Sequence, residues 1–278
     1  MFFFEIQLNF KCISETPNAS ARGLTIIIPG ETWGNTLKKH FSKIPIRLSR
    51  GCEKLNLGKY KKNMAKKKEW SEGEIVLAFQ LKQIIEPLTA TMQEWLAVEK
   101  PVFSVVEQAN FDDAYEDGRL HIKNWSEEDL KMKFISHILK LGNLVSDKNF
   151  VSFFDKKLAA QVQNYQLSVK ADFVIAKGIM DFMEKPYFHF QEYKPNKKPT
   201  GDSMAQLLEA FLIAQKINND NKALYGCEVN GANWVFITME NNAYCISKIF
   251  DSTDKEDLMQ IIAILRKFRH ILETVLLI

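Results

Sequence analysis

The chain is poor in several features, and each scarcity removes a class of function. Four cysteines occur among 278 residues, Cys12, Cys52, Cys227 and Cys245, with no Cys-x-x-Cys pair. That pattern indicates neither a disulfide framework nor a zinc knuckle. There is no Gly-rich phosphate loop, no nucleophile elbow and no internal repeat. The longest apolar runs, such as Leu24-Thr25-Ile26-Ile27-Ile28, fall far short of the roughly 20 residues that cross a bilayer. Met1-Phe2-Phe3-Phe4 lacks a basic leader and meets Glu5 at once, so no signal peptide is expected and the cytoplasm is the expected compartment. The histidines His40, His121, His137, His189 and His270 show no metal-ligand spacing and read as ordinary.

What is present is the composition of a globular protein, 46% hydrophobic and 26% charged. The length suffices for one large domain, or one domain with an appendage. The net charge of +3 hides an asymmetry. Residues 1–68 carry fourteen Lys or Arg against four Glu, a balance of +10, which leaves 23 basic and 30 acidic residues from Glu69 onward, a balance of −7. A basic segment of this kind favours polyanions, and equally suits a solvated lysine run. Apart from short strands expected over 24–28 and 44–48, it is poorly patterned, and Met64-Ala65-Lys66-Lys67-Lys68 reads as an alternative start.

From residue 69 the periodicity is clearer. Ser71-Glu72-Gly73-Glu74 is a capping box before Ile75, Val76, Phe79, Ile84 and Ile85, with Pro87 ending that helix. A second helical piece holds Met92, Trp95 and Leu96, and a short strand is expected over 102–106, so 69–123 reads as a mainly helical extension. Ser126 caps a helix over 130–141, with Glu127, Glu128 and Asp129 in its first turn. The spacing of Phe153, Phe154, Leu158 and Val162 predicts a further helix over 150–165. A two-residue alternation follows, with Val169, Ala171, Phe173 and Ile175 on one strand face and Phe188 and Phe190 leading to Glu192 on the next. A helix over 204–217, three strands with turns at Asn230-Gly231 and Asn241-Asn242, and a last amphipathic helix complete an α/β reading.

The chemistry concentrates between Ala171 and Gln206. Strand alternation turns Glu192 and Lys194 to one face and Tyr193 away. A carboxylate continuing an apolar face is costly unless it is paired or metal-bound. Asp172 and Glu192, with the carbonyl of Tyr193, form a donor set for Mg²⁺ or Mn²⁺, which takes oxygen ligands and keeps several waters. Lys194 would then stand beside the metal to orient water and offset phosphate charge.

At these residues the chain resembles the PD-(D/E)xK nuclease superfamily, which includes many restriction endonucleases and the N-terminal nuclease domains of type I restriction motor subunits. The likeness consists of Ala171-Asp172, Glu192-Tyr193-Lys194, the following helix with Gln206, and Glu127 on the helix before the sheet. It spans about residues 124–250. It implies a restriction-endonuclease-like mixed sheet flanked by helices over 124–278, metal binding by Asp172 and Glu192, and action of Lys194 on the attacking water. Glu127 would be a further acid near the metal or paired with Lys194, and Gln206 would lie over the site or contact DNA. Ala171 stands where the family has proline, and Ala210 where a tyrosine often follows Gln206. Glu127 also suits the helix dipole, and Ser203-x-x-Gln206 also fits a capping box. The function implied is DNA hydrolysis in a bacterial cytoplasm, in restriction, defence or a mobile element. The alternative is an inactive nucleic-acid- or protein-binding module on the same fold, with a homodimer or separate protein partners open.

Overall fold

Local capping chemistry sets the helix starts. The computed structural model describes residues 69–196 and 201–277, all within the unit that begins at Met64. The strands expected over 24–28 and 44–48, the basic segment and the alternative start at Met64 lie outside the described residues. Helix α1 (Glu72–Phe79) opens on the capping box of Ser71 and Glu74. It stops at Phe79 because Gln80 turns left-handed, so Ile84 belongs to a short strand, β1 (Lys82–Ile84). Helix α2 (Ala90–Leu96) is capped by Thr89. The strand expected over 102–106 is instead the entry to α3 (Val105–His121), where Ser104 and Glu107 form a second capping box. That local signal outweighs the apolar run, and Val102, Val105 and Val106 are exposed.

Ser126 caps α4 (Glu127–Leu130), which widens into a π-helical segment (Lys131–Ile135) and returns to α5 (Ser136–Leu141). Six strands and two helices then follow: β2 (Val151–Val162), β3 (Tyr165–Ile179), β4 (Phe182–Lys194), α6 (Ser203–Asn218), β5 (Leu224–Asn230), β6 (Asn233–Glu240), β7 (Ala243–Asp251) and α7 (Lys255–Ile271). The sheet order is β1-β7-β6-β5-β4-β3-β2. Because α6 carries the chain across between them, β4 and β5 run parallel, as do β1 and β7, and the other neighbours are antiparallel. The architecture is therefore a mixed α/β sheet flanked by helices, and the segment 69–123 supplies one of its strands.

The helix expected over 150–165 is strand β2. Asp155 takes a left-handed conformation, φ 54°, at a break in the β2–β3 ladder that leaves the register unchanged, and the alternation changes face there so that Phe153, Leu158 and Val162 share one core. Their spacing imitates a helix. The opposing strand β3 changes face at the same level: Val169 and Ala171 join Val174 and Ala176 on one side, whereas Phe173 and Ile175 pack on the other. A register shift in β4 likewise separates Phe188 from Phe190. Glu192 therefore shares its face with Phe190 but not with Phe188.

Each sheet face buries its own core. Trp95, Phe134, Phe236 and Phe268 belong to one, and Phe79, Phe190 and Phe211 to the other. In the first, Trp95 is fully buried and donates Nε1 to the Ile264 carbonyl at 2.9 Å. Its ring lies edge-on to Tyr225 and Phe236, each at 5.1 Å. Trp95→Ala is expected to cost about 3–5 kcal/mol. Urea unfolding would show this as a lower midpoint with an unchanged slope, and an unmoved midpoint would refute it.

Candidate functional site

The site begins where two strands part. β3 and β4 pair from Ile179 opposite Phe182 down to Phe173 opposite Gln191, and the ladder goes no further. Asp172 fills the gap, its Oδ2 accepting from the backbone N–H of Tyr193 at 2.8 Å. The N–H and C=O of one strand residue point to the same neighbour, so the Tyr193 carbonyl also faces this fork. The switch of face in β3 at Asp172 is what allows the carboxylate to turn inward here.

Glu192 is 1% exposed, Lys194 6% and Asp172 7%. The Glu192 carboxyl lies within hydrogen-bonding reach of Asp172, and its Oε1 is buried with no hydrogen-bond partner. Burial first, and the Asp172 charge second, push Glu192 well above the usual carboxylate range, against the pull of Lys194 and Lys131. The fork thus brings Asp172 and Glu192 together, with the charge of Lys194 acting on Glu192.

Lys131 is the member that sequence reasoning missed. It stands at the start of the π-helical segment, with Nζ 2.7 Å from Asp172 Oδ1 and 2.8 Å from Glu127 Oε1. Burial alone would lower its pKa, but the hydrogen bonds to Asp172 and Glu127 outweigh burial and raise it. Glu127 is therefore tied to the site through Lys131 rather than through Lys194, in addition to lying in the first turn of α4. The Glu127 and Lys131 spacing of four residues is the signal available beforehand. Asp155, on the neighbouring strand β2, lies 3.9 Å from Lys131 and 3.0 Å from Lys170.

Gln206 is not a capping partner of Ser203, because Asp202 is the N-cap of α6, accepting from Ala205 N at 2.9 Å. Gln206 Oε1 is buried without a partner, and among the described residues no hydrogen bond joins it to Asp172, Glu192 or Lys194. Ser203 instead donates to Glu228, whose strand position is directly beside Glu192. Glu228 is a second acid that strand alternation could have flagged.

Beneath the fork lies a buried polar chain. Tyr193 donates its hydroxyl to Gln191 Oε1 at 2.5 Å, and Gln191 Nε2 lies 2.8 Å from His189 Nε2. Burial pushes His189 down to about 3, so the ring is neutral and its Nε2 accepts. This chain fixes the Tyr193 backbone that lines the fork. The basic residues of α7 have structural roles: Arg266 donates to the Leu141 and Val102 carbonyls and Glu107, and Arg269 to Asn143 O, Glu273 and Asp147.

Among the described residues, no three His, Cys, Asp or Glu converge as a metal cage. Two carboxylates, one carrying an unpartnered buried oxygen, and a main-chain carbonyl nevertheless fit a hard cation that keeps much of its water, such as Mg²⁺ or Mn²⁺. They do not suit zinc, which takes closed nitrogen and sulfur sets in structural sites. No helix among the described residues is long and apolar enough to cross a membrane. No family model matches the chain, and no curated protein matches it.

Proposed function

We propose that the chain is a divalent-cation-dependent nuclease of the PD-(D/E)xK kind, hydrolysing phosphodiester bonds in DNA. The observation that carries this reading is the buried fork in which the Asp172 and Glu192 carboxyls meet beside Lys194 and Lys131. Like carboxyls held together out of water resist being charged at once, as the raised pKa of Glu192 reflects, and call for a cation. Asp172, Glu192 and the Tyr193 carbonyl would hold Mg²⁺ or Mn²⁺, which when bound supplies Lewis-acid activation of water and phosphate oxygen. Lys194 orients the attacking water and offsets charge on the phosphate. Tyr193 N–H fixes Asp172, and Gln191 and His189 fix Tyr193. A bacterial cytoplasm, and a setting in restriction, defence or a mobile element, belong to the same reading through the sequence resemblance.

One observation favours a second reading. Lys131 already neutralises Asp172 through a direct ion pair, as would suit a descendant that kept the fold and binds nucleic acid or protein without cutting. Supercoiled plasmid in Mg²⁺ or Mn²⁺ separates the two. Nicking that falls by about 10²–10³ in Asp172→Asn and Lys194→Met supports the nuclease. Gel retardation without nicking supports the binding module. Cleavage persisting in both variants removes the site assigned here.

A further inference from the structure

The two oxygens of Asp172 are both engaged, and by different kinds of group. Oδ2 accepts from the Tyr193 backbone, which belongs to the rigid strand, while Oδ1 accepts from the Lys131 ammonium, which belongs to a helix. An incoming cation must therefore compete with Lys131 for Oδ1. Resting on the nuclease reading, we infer that Lys131 is a built-in counter-cation, a latch that holds Asp172 in the metal-free protein and withdraws onto Glu127 when a divalent cation enters.

Three features support withdrawal rather than permanent bridging. The Lys131 and Glu127 side chains retain 22% and 28% of their exposure, whereas Asp172 retains 9%, so the pair on the helix has solvent on the side away from the fork. Glu127 is four residues earlier on the same helical rod, and the two side chains stay neighbours whatever Asp172 does. Lys131 is also the first residue of a π-helical segment, a rare geometry that occurs as local insertions, often at functional sites. The latch answers an electrostatic need as well. Without either cation, Asp172 and Glu192 would share a buried fork with only Lys194 to offset them.

The two ends of the latch give opposite results when cut. Removing the ammonium in Lys131→Met leaves Oδ1 open and should raise Mn²⁺ affinity roughly tenfold. Glu127→Gln removes the seat for withdrawal, leaves Lys131 more firmly on Asp172, and should lower Mn²⁺ affinity severalfold. The experiment is calorimetric titration of Mn²⁺ into the full chain and both variants without DNA, with circular dichroism to check folding. Tighter binding in Lys131→Met with weaker binding in Glu127→Gln supports the latch, as does binding seen in Lys131→Met alone. If the native chain binds Mn²⁺ and Lys131→Met binds equally or more weakly, the latch is overturned while the nuclease reading stands. If no form binds Mn²⁺, the metal reading fails and takes the latch with it. Should Lys131→Met not fold, Glu127→Gln decides alone, since unchanged or tighter binding there refutes withdrawal.

Discussion

Glu192→Gln is expected to give a protein that is more stable than the native chain and that, on the proposed nuclease reading, does not cleave. The carboxyl it replaces is almost fully buried, lies within hydrogen-bonding reach of another carboxyl, and carries an oxygen with no partner. An amide of the same shape removes the like charge and can donate to Asp172, for a gain of about 1–3 kcal/mol. The sign of the pH dependence follows from the direction of the shift. A carboxyl whose folded pKa lies above its ordinary value of 4.5 binds its proton more tightly in the folded chain. Its stabilising effect is therefore full below pH 4.5 and is lost as the pH rises through the raised folded value. Thermal unfolding in EDTA should show the variant's advantage growing over that window. A difference between native and variant chains that is constant with pH would show that Glu192 is not the strained group.

Asp172→Ala should act in the opposite direction, lowering stability by about 2–4 kcal/mol. It strands two donors at once, the buried N–H of Tyr193 and one side of the Lys131 ammonium. Asp172→Asn keeps an acceptor for Tyr193 and should lose distinctly less. Urea midpoints of the two variants test this, and equal midpoints would mean that the contact with Tyr193 contributes nothing. The contrast also governs how loss of cleavage is interpreted, because only the asparagine variant separates chemistry from unfolding. Two carboxyls in one fork are thus expected to have opposite effects on folding, Asp172 stabilising through its donors and Glu192 destabilising through its charge.

Some of this was legible in the sequence because it is local. The capping serines Ser71 and Ser126 and the hairpin turns at Asn230-Gly231 and Asn241-Asn242 each depend on residues within a few positions of one another. β2 was not legible, because a single left-handed residue, Asp155, converts an alternating pattern into one with helical spacing. The changes of face in β3 and β4 were hidden for the same reason: a local break in strand alternation leaves no fixed mark in composition. Lys131 could be paired with Glu127 by spacing alone, but its contact with Asp172, 41 residues away, exists only once β3 packs against the helix. Gln206 illustrates the converse, since its apparent capping role vanished once Asp202 was seen to hold that position.

The three residues of β1 have a consequence for handling the protein. They lie against Ala243, Tyr244 and Cys245 of β7, and the Tyr244 hydroxyl donates to Glu72 Oε1 at 2.9 Å. A fragment beginning near residue 124, where the family resemblance begins, would strip this cover and bare a row of backbone donors and acceptors flanked by buried apolar side chains. Such an edge recruits other chains by strand addition. The short strand therefore acts as a guard against self-association, and a soluble version of the α/β core should start no later than α1.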